Sequence, residues 1–369
     1  MATPTSPPST QSAVVVKHAG KDWKMEVDHS YPVPTLEAGQ ALVRLSYTGV
    51  CHSDLSGING SWDRKITCDV PGHEGVGRVL AYHPDTDPTT APALGARVGV
   101  PLIRRPCTTC SICLLPDGEV MCPNTGFHGL QCNGTYQQYI AVYASYLVPL
   151  PEGKPASTST SPQAIDDDAL LAPVLCGGVT AYKALKKSGA RAGDWVAVAG
   201  AGGGLGIFAV QYAAAMGMRV VAIDAGEQKR AATLRHGAAA FVDYLDGGVA
   251  AKVLEITGGE GAKAVLVLAP AEKTYNEALS YVACQGCVVC VGIPHEDVRM
   301  AVPPGLLMHR DVSIRGSMVG TRADIAEALD YVVRGLVKPD VVVHGMEDIV
   351  DIYKRMERNE VIGRAVLKL

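Results

Sequence analysis

Four cysteines in one short stretch, Cys107, Cys110, Cys113 and Cys122, carry the strongest chemical signal in the chain. Their spacing, Cys-x2-Cys-x2-Cys-x8-Cys, lets four thiolates close a tetrahedral, all-sulfur shell around Zn2+ with no open position. That is the chemistry of a structural metal. A similar run, Cys284, Cys287 and Cys290, lies in the apolar segment CQGCVVCVG and has no fourth ligand nearby. Alternation along a strand would send its members to different faces, so it reads as buried structural cysteine. A second kind of chemistry is written in Gly200-Ala201-Gly202-Gly203-Gly204-Leu205-Gly206, between an apolar run and a helical pattern. Glycines there let a backbone turn sharply and approach a pyrophosphate, which the helix N-terminus attracts. Eighteen residues after Gly206, Asp224 closes the next apolar run. A carboxylate there can accept hydrogen bonds from both hydroxyls of an adenosine ribose and would repel a 2′-phosphate, which favours NAD over NADP. Three more candidates, Cys51, His73 and Cys176, are far apart. Taken singly each is a buried residue more often than a ligand. Their company raises them: Cys51-His52-Ser53-Asp54, Gly72-His73-Glu74 and Leu175-Cys176-Gly177-Gly178.

The elements that must position these groups fall into two patterns. Through about residue 150, short β-like runs alternate with Gly and Pro turns, as in Ala41 to Tyr47, Gly75 to Ala81 and Arg97 to Pro101. Pro84 to Leu94 and Pro151 to Asp168 read as long loops. The acidic triplet Asp166-Asp167-Asp168 suits the positive end of the helix that follows better than a metal. From Leu175 the pattern changes to strands alternating with helices. Helix is predicted at Val179 to Ser188 and Leu205 to Met216, and strand at Trp195 to Ala199, Arg219 to Ile223, Ala264 to Leu268 and Cys287 to Val291. This order predicts a doubly wound parallel sheet. An amphipathic helix, Ala323 to Arg334, and short strands close the chain, and no solenoid repeat is present.

Composition narrows the class. The chain has 369 residues, 47% hydrophobic and 19% charged, enough apolar material for two cores and against a disordered protein. Lys and Arg number 33 against 37 Asp and Glu, a net charge of −4 that gives no basic surplus for nucleic acid. No apolar run is long enough for a membrane span. The first twelve residues, rich in Pro, Ser and Thr, lack a signal-peptide layout and read as a disordered tail. Clustered cysteines in a chain that reads as intracellular favour metal ligation over disulfides, with the cytoplasm as the expected compartment. The terminal Leu367-Lys368-Leu369 fits a peroxisomal signal poorly.

From about Val14 to the C-terminus the sequence resembles the zinc-dependent alcohol dehydrogenases of the medium-chain dehydrogenase/reductase superfamily, most closely the yeast and fungal tetrameric type. The marks are YTGVCHSDL (47–55), PGHEGVG (71–77), the four-cysteine loop, APVLCGGVTAYKAL (172–185), the glycine turn with Asp224, VGIP (291–294), VGTRAD (319–324), VVRGLVK (332–338) and VIGRAV (361–366), in family order. The resemblance implies an α/β fold with a discontinuous, β-rich, GroES-like catalytic domain at 1–176 and 318–369. It implies a Rossmann domain at 177–317. It further implies that Cys51, His73 and Cys176 hold a catalytic zinc with one open position, with Glu74 close behind, making two zinc ions per chain. Asp54 would orient His73, and Ser53 would hydrogen-bond the substrate hydroxyl. His52 and Arg364 would meet the NAD pyrophosphate, Thr180 the nicotinamide ribose and Lys229 the adenosine ribose. The stretch around Val291, Ile293 and Val319 would face the carboxamide, and Trp62 and Leu102 would line the substrate pocket.

The implied activity is reversible hydride transfer between a small primary or secondary alcohol and NAD, giving an aldehyde or ketone, in a homotetramer. Four departures from the pattern stand out. Ser56 replaces the yeast-type relay histidine, His83 takes a place expected to be Gly or Ala, Leu102 replaces a pocket tryptophan, and eight residues rather than seven precede Cys122. The alternatives are a carbonyl reductase of secondary metabolism using the same zinc site, a zinc-independent quinone or enoyl reductase, and a catalytically silent NAD- or zinc-binding protein. Retention of Cys51, His73 and Cys176 weighs against the zinc-independent one.

Overall fold

The computed structural model describes residues 7–62, 65–151 and 167–369. The chain divides into two compact units. One comprises residues 1–176, 320–335 and 339–369, the other 177–319 with 336–338.

The first unit opens with a hairpin, β1 (Thr10–His18) against β2 (Lys24–Pro32). The predicted disordered tail therefore ends sooner than expected. Thr10, Gln11 and Ser12 belong to β1, held by a long-range hydrogen bond in which Gln11 Nε2 donates to Tyr139 O at 3.1 Å, while residues 1–6 of that stretch lie outside the described residues. Next come β3 (Gln40–Gly49), α1 (His52–Asn59), β4 (Gly75–Tyr82), β5 (Arg97–Val100), β6 (Tyr139–Tyr143), β7 (Val148–Pro149) and α2 (Asp167–Leu171). β3 is buried along most of its length, because β4 and β6 flank it at one end and apolar side chains cover it. Two glycines make the β3–β4 pairing possible. A Cβ at Gly77 would lie 2.1 Å from Arg44 O, and one at Gly49 would lie 1.8 Å from Glu74 Oε2. The second is the space into which the Glu74 carboxylate is folded. Asp167 and Asp168 open α2 as the acidic triplet predicts, and Asp168 Oδ1 also accepts from Arg97 Nε at 2.5 Å; Asp166 lies outside the described residues.

The second unit carries α3 (Gly177–Ser188), β8 (Trp195–Ala199), α4 (Gly204–Ala215), β9 (Arg219–Asp224), α5 (Glu227–Arg235), β10 (Ala240–Asp243), α6 (Val249–Ile256), β11 (Ala262–Val267), α7 (Glu272–Tyr281), β12 (Val282–Cys290), α8 (Pro304–Arg310) and β13 (Ser313–Gly316). Its sheet runs β10-β9-β8-β11-β12-β13, all parallel, the strand order of a doubly wound dinucleotide-binding fold. β8, β9 and β11 are nearly unbroken runs of buried Val, Ala and Leu, as strands covered on both faces must be. The sequence-derived expectation for the second cysteine run holds only in part. Cys287 is buried, but Cys290 is half-buried and Cys284 is exposed, because the pairing with β11 is interrupted between Val282 and Cys287, where Gln285 takes a left-handed φ of 53°.

The chain returns to the first unit with α9 (Arg322–Val333), β14 (Val341–His344), α10 (Ile349–Glu357) and β15 (Arg364–Lys368). α9 opens with a reciprocal cap in which Asp324 N donates to Thr321 Oγ1 and Thr321 N donates to Asp324 Oδ2, at 3.1 and 3.0 Å. β15 pairs antiparallel with β3, completing the order β14-β15-β3-β4-β5-β7. One core beneath this sheet gathers Val14, Leu55, Ile58, Tyr136, Ile352, Tyr353 and Leu367 from the two ends of the sequence. No helix among the described residues is long and apolar enough to cross a membrane.

Candidate active site and metal centres

Cys51, His73, Glu74 and Cys176 converge, with one ligand atom of each lying within 4.8 Å of those of the others. Cys51 is the N-cap of α1, placed where the chain leaves β3. His73 and Glu74 sit immediately before β4, and Cys176 immediately before α3. His73 and Glu74 are wholly buried. His73 Nδ1 donates to Asp54 Oδ1 at 2.8 Å, and the same oxygen accepts from Gly72 N at 3.1 Å, so the ring's orientation is fixed from behind. Nε2 on the far side has no hydrogen-bond partner although it is buried. Contact between the two thiols holds Cys51 well below its usual range and pushes Cys176 well above. An unpartnered buried imidazole nitrogen facing two sulfurs is a donor set for a soft divalent cation, and Zn2+ fits it.

Glu74 is held from the opposite side. Arg364 Nη2, on β15, donates to both of its oxygens, at 2.6 and 2.5 Å, and to Val50 O at 3.1 Å. Burial nevertheless raises the Glu74 carboxyl to about 7, opposed chiefly by the Arg364 charge. The guanidinium assigned to a pyrophosphate by resemblance is thus also the partner of a buried carboxylate.

The four-cysteine loop forms the second cluster, with its ligand atoms again within 4.8 Å of one another. Its backbone is bent for sulfur. Thr108 and Asp117 adopt left-handed φ values of 62° and 60°, and a Cβ at Gly118 would lie 1.7 Å from Ile112 O. Cys107 N donates to Cys122 Sγ, Cys110 N to Cys107 Sγ and Cys113 N to Cys110 Sγ, at 3.3, 3.4 and 3.4 Å. The Asn124 amide, helped by backbone donors, pulls Cys107 down to about 5. Four clustered sulfurs, three of them accepting from these backbone N–H groups, suit thiolates around zinc.

In the second unit Asp224 anchors the glycine turn. Its Oδ2 accepts from Gly202 N at 2.8 Å, and its Oδ1 accepts from Ala225 N and from Lys229 Nζ, both at 2.9 Å. The Lys229 stem lies so close that a Cβ at Gly202 would be 2.6 Å from the Lys229 Cβ. Gly200 has a φ of +90°, and a Cβ at Gly206 would lie 2.1 Å from Gly200 O, so α4 can start directly on the turn. Gly203 is the N-cap of α4, with Gly204 and Leu205 in its first turn. Thr180 is buried on α3. Val291 commits its N–H to Val267 O at 3.1 Å, Ile293 is exposed, and Val319 has a φ of +35°, a strained value for a β-branched residue. Around the first cluster, His52 is exposed, while Ser53, Trp62 and Leu102 are half-buried. Ser56 is buried and His83 is half-buried.

Sequence reasoning missed three supports. His128 donates from Nδ1 to Pro101 O and from its backbone N–H to Leu102 O, both at 2.8 Å, locking the segment that carries Leu102. Burial pushes its ring down to about 4, so it is neutral at pH 7. Tyr136 and Tyr353 stack hydroxyls behind Asp54. The two tyrosines stand only as the first Tyr of GTYQQY and a Tyr on an amphipathic helix, and neither signals a partner 82 or 217 residues away.

The comparisons agree with this geometry. Residues 37–152 match the alcohol dehydrogenase GroES-like domain and residues 204–334 match the zinc-binding dehydrogenase domain. Alcohol dehydrogenase 1 of Neurospora crassa is 36% identical, over 98% of this chain and 97% of its own length. An alcohol dehydrogenase of Geobacillus stearothermophilus is 37% identical over 91% of this chain and 93% of its own length. An acetophenone reductase from Geotrichum candidum, solved with NAD, superposes with a TM-score of 0.82 at 29% identity, covering 99% of each chain. The chain belongs to the zinc-binding alcohol dehydrogenase family of the medium-chain dehydrogenases.

The buried Glu74–Arg364 pair yields the first prediction. Arg364→Met leaves a buried carboxylate alone, which costs about 3–5 kcal/mol and lowers Tm by on the order of 10 °C. The double variant Glu74→Met/Arg364→Met recovers most of that loss. Thermal unfolding of the three variants checks it, and a double variant no better than the single one contradicts it.

Proposed function

We propose that this chain is an NAD-dependent zinc alcohol dehydrogenase that interconverts primary or secondary alcohols with aldehydes or ketones. The observation that carries the reading is the unpartnered Nε2 of buried His73 facing Cys51 and Cys176, with Nδ1 fixed by Asp54. When bound, zinc supplies a Lewis acid with an open position and NAD supplies the hydride acceptor. Cys51, His73 and Cys176 are the ligands we assign to that zinc, with Glu74 behind them. Ser53, two residues along α1 from Cys51, receives the proton of the substrate hydroxyl and passes it on. Ser56 has no basic nitrogen to continue the path, so the proton leaves through water. Asp224 and Lys229 hold the adenosine ribose, and the turn from Gly200 to Gly206 holds the pyrophosphate with His52 and Arg364. Thr180, Val291, Ile293 and Val319 serve the nicotinamide half.

Two domains follow from these roles: a zinc-binding catalytic part at 1–176 and 318–369, and an NAD-binding part at 177–317. The four-cysteine loop adds a second, structural zinc. Resemblance to the tetrameric fungal enzymes supports a homotetramer. Eleven free cysteines support a reducing compartment, the cytoplasm. The same chemistry run toward ketone reduction is the second reading. It is favoured by Leu102, which removes aromatic bulk from the pocket wall, and by the likeness to the acetophenone reductase.

Three outcomes test these assignments. Elemental analysis of fresh protein should give about two zinc ions per chain. Cys51→Ala should lose one zinc and all turnover while keeping its Tm within a few degrees, whereas Cys110→Ala should lose the other and unfold at markedly lower temperature. A single zinc in the wild type contradicts the pair of sites.

Cofactor preference should follow Asp224. The wild type should favour NAD, and Asp224→Ser should narrow the preference in kcat/KM by about 10–100-fold, the worth of one or two charge-assisted hydrogen bonds. Equal use of both cofactors by the wild type would overturn the role given to Asp224.

Substrate preference should follow Leu102. The wild type should show a higher kcat/KM for alcohols of about four or more carbons than for ethanol, with each buried methylene worth up to about 0.8 kcal/mol. Leu102→Trp should move preference back toward ethanol, and steady-state kinetics on a series of straight-chain alcohols reads it directly.

A further inference from the structure

Behind His73 the structure continues two layers deeper than its carboxylate. Asp54 is fully buried and accepts three hydrogen bonds. His73 Nδ1 and Gly72 N donate to Oδ1 at 2.8 and 3.1 Å, and the Tyr136 hydroxyl donates to Oδ2 at 3.2 Å. The Tyr136 oxygen in turn accepts from the Tyr353 hydroxyl at 3.2 Å. The direction of this chain is fixed by chemistry. A carboxylate can only accept, so the single proton of Tyr136 goes to Asp54, and Tyr353 must donate to the oxygen left over. Both tyrosines are wholly buried, so no water competes for these groups.

The tyrosines are also held in place independently of one another. The Tyr136 ring covers Gly72, where a Cβ would lie 2.3 Å from its Cδ1, so the ring presses on the residue next to the ligand. Tyr353 is fixed from α10 by an edge-on contact with Trp23 at 5.9 Å between centroids, and the Trp23 indole donates to Glu357 at 3.0 Å.

We propose that Tyr136, polarised by Tyr353, is a positioning residue that sets how tightly the Cys51–His73–Cys176 centre holds its metal. Resting on the zinc assignment made above, it works as follows. The Tyr136 bond takes one Asp54 oxygen out of rotation and leaves the other for His73 and Gly72, which keeps the imidazole aimed at the two sulfurs. Groups in the layer behind a ligand commonly change metal affinity by about 10–100-fold, and a hydroxyl one layer further out should act below that range. Linked donors strengthen one another, so Tyr353 should contribute a smaller share through Tyr136.

The test is zinc release from the full-length protein to excess 4-(2-pyridylazo)resorcinol, followed by absorbance. Cys51→Ser identifies which phase belongs to this centre and which to the four-cysteine loop. Tyr136→Phe should speed the first phase about 3–10-fold, and Tyr353→Phe, which keeps the Tyr136–Asp54 bond, should speed it less. The four-cysteine phase should stay unchanged in both. Cobalt substitution provides a second readout, since the ligand-field bands of the Cys51–His73–Cys176 centre should shift in Tyr136→Phe. Unchanged release in both variants overturns the proposal, as does equal acceleration of both phases, which would mean general loosening of the fold. If the wild type releases no zinc that Cys51→Ser abolishes, the zinc assignment itself fails, an outcome separate from the other two.

Discussion

The hydrogen bond between His73 and Asp54 is the constraint on which the rest of the first unit depends. An imidazole with one nitrogen bonded to a carboxylate can present only the other, and it can do so only where the carboxylate stands. Asp54 stands in the first turn of α1, and α1 begins at Cys51, so the same short helix supplies a sulfur and the support of the nitrogen. Gly72, with a φ of +95°, lets its own amide reach Asp54 while leaving room for Tyr136. Remove the carboxylate and the His73 ring, the backbone before β4 and the hydroxyl pair beneath all lose their common partner.

The two cysteine-containing clusters place different demands on the fold. In the four-cysteine loop every ligand comes from one segment, and backbone N–H groups on the sulfurs offset charge locally. In the other, the candidate ligands stand at residues 51, 73 and 176, and the buried carboxylate beside them is paired with a distant guanidinium. A closed local shell stabilises a loop, whereas a shell gathered from three places must be imposed by the fold around it.

That difference also explains what could be read from the chain. The four-cysteine spacing is a local signal, and so are the glycine turn and the apolar runs of β8, β9 and β11. Each was legible because its partners are near in sequence. Cys51, His73 and Cys176 carried no signal of their own and were recognisable only through the motifs around them. Tyr136, Tyr353 and His128 were illegible, since a buried hydroxyl or a neutral imidazole looks like ordinary core until its partner is known. Thr10 to Ser12 were misread as tail because a Pro- and Ser-rich start hides a strand whose pairing comes from residues 24–32 and 137–139. The exposure of Cys284 has no sign in its apolar neighbourhood, because it depends on a break in the β11–β12 pairing.

Glu74 and Arg364 are separated by 290 positions, and Arg364 lies close to the C-terminus. During synthesis the first half of the centre leaves the ribosome long before the cation that neutralises it. Until the last strand, β15, pairs with β3, the nascent first unit has an acid it cannot bury at low cost. The pairing of β15 with β3 is therefore what brings in the cation against which Glu74 is buried.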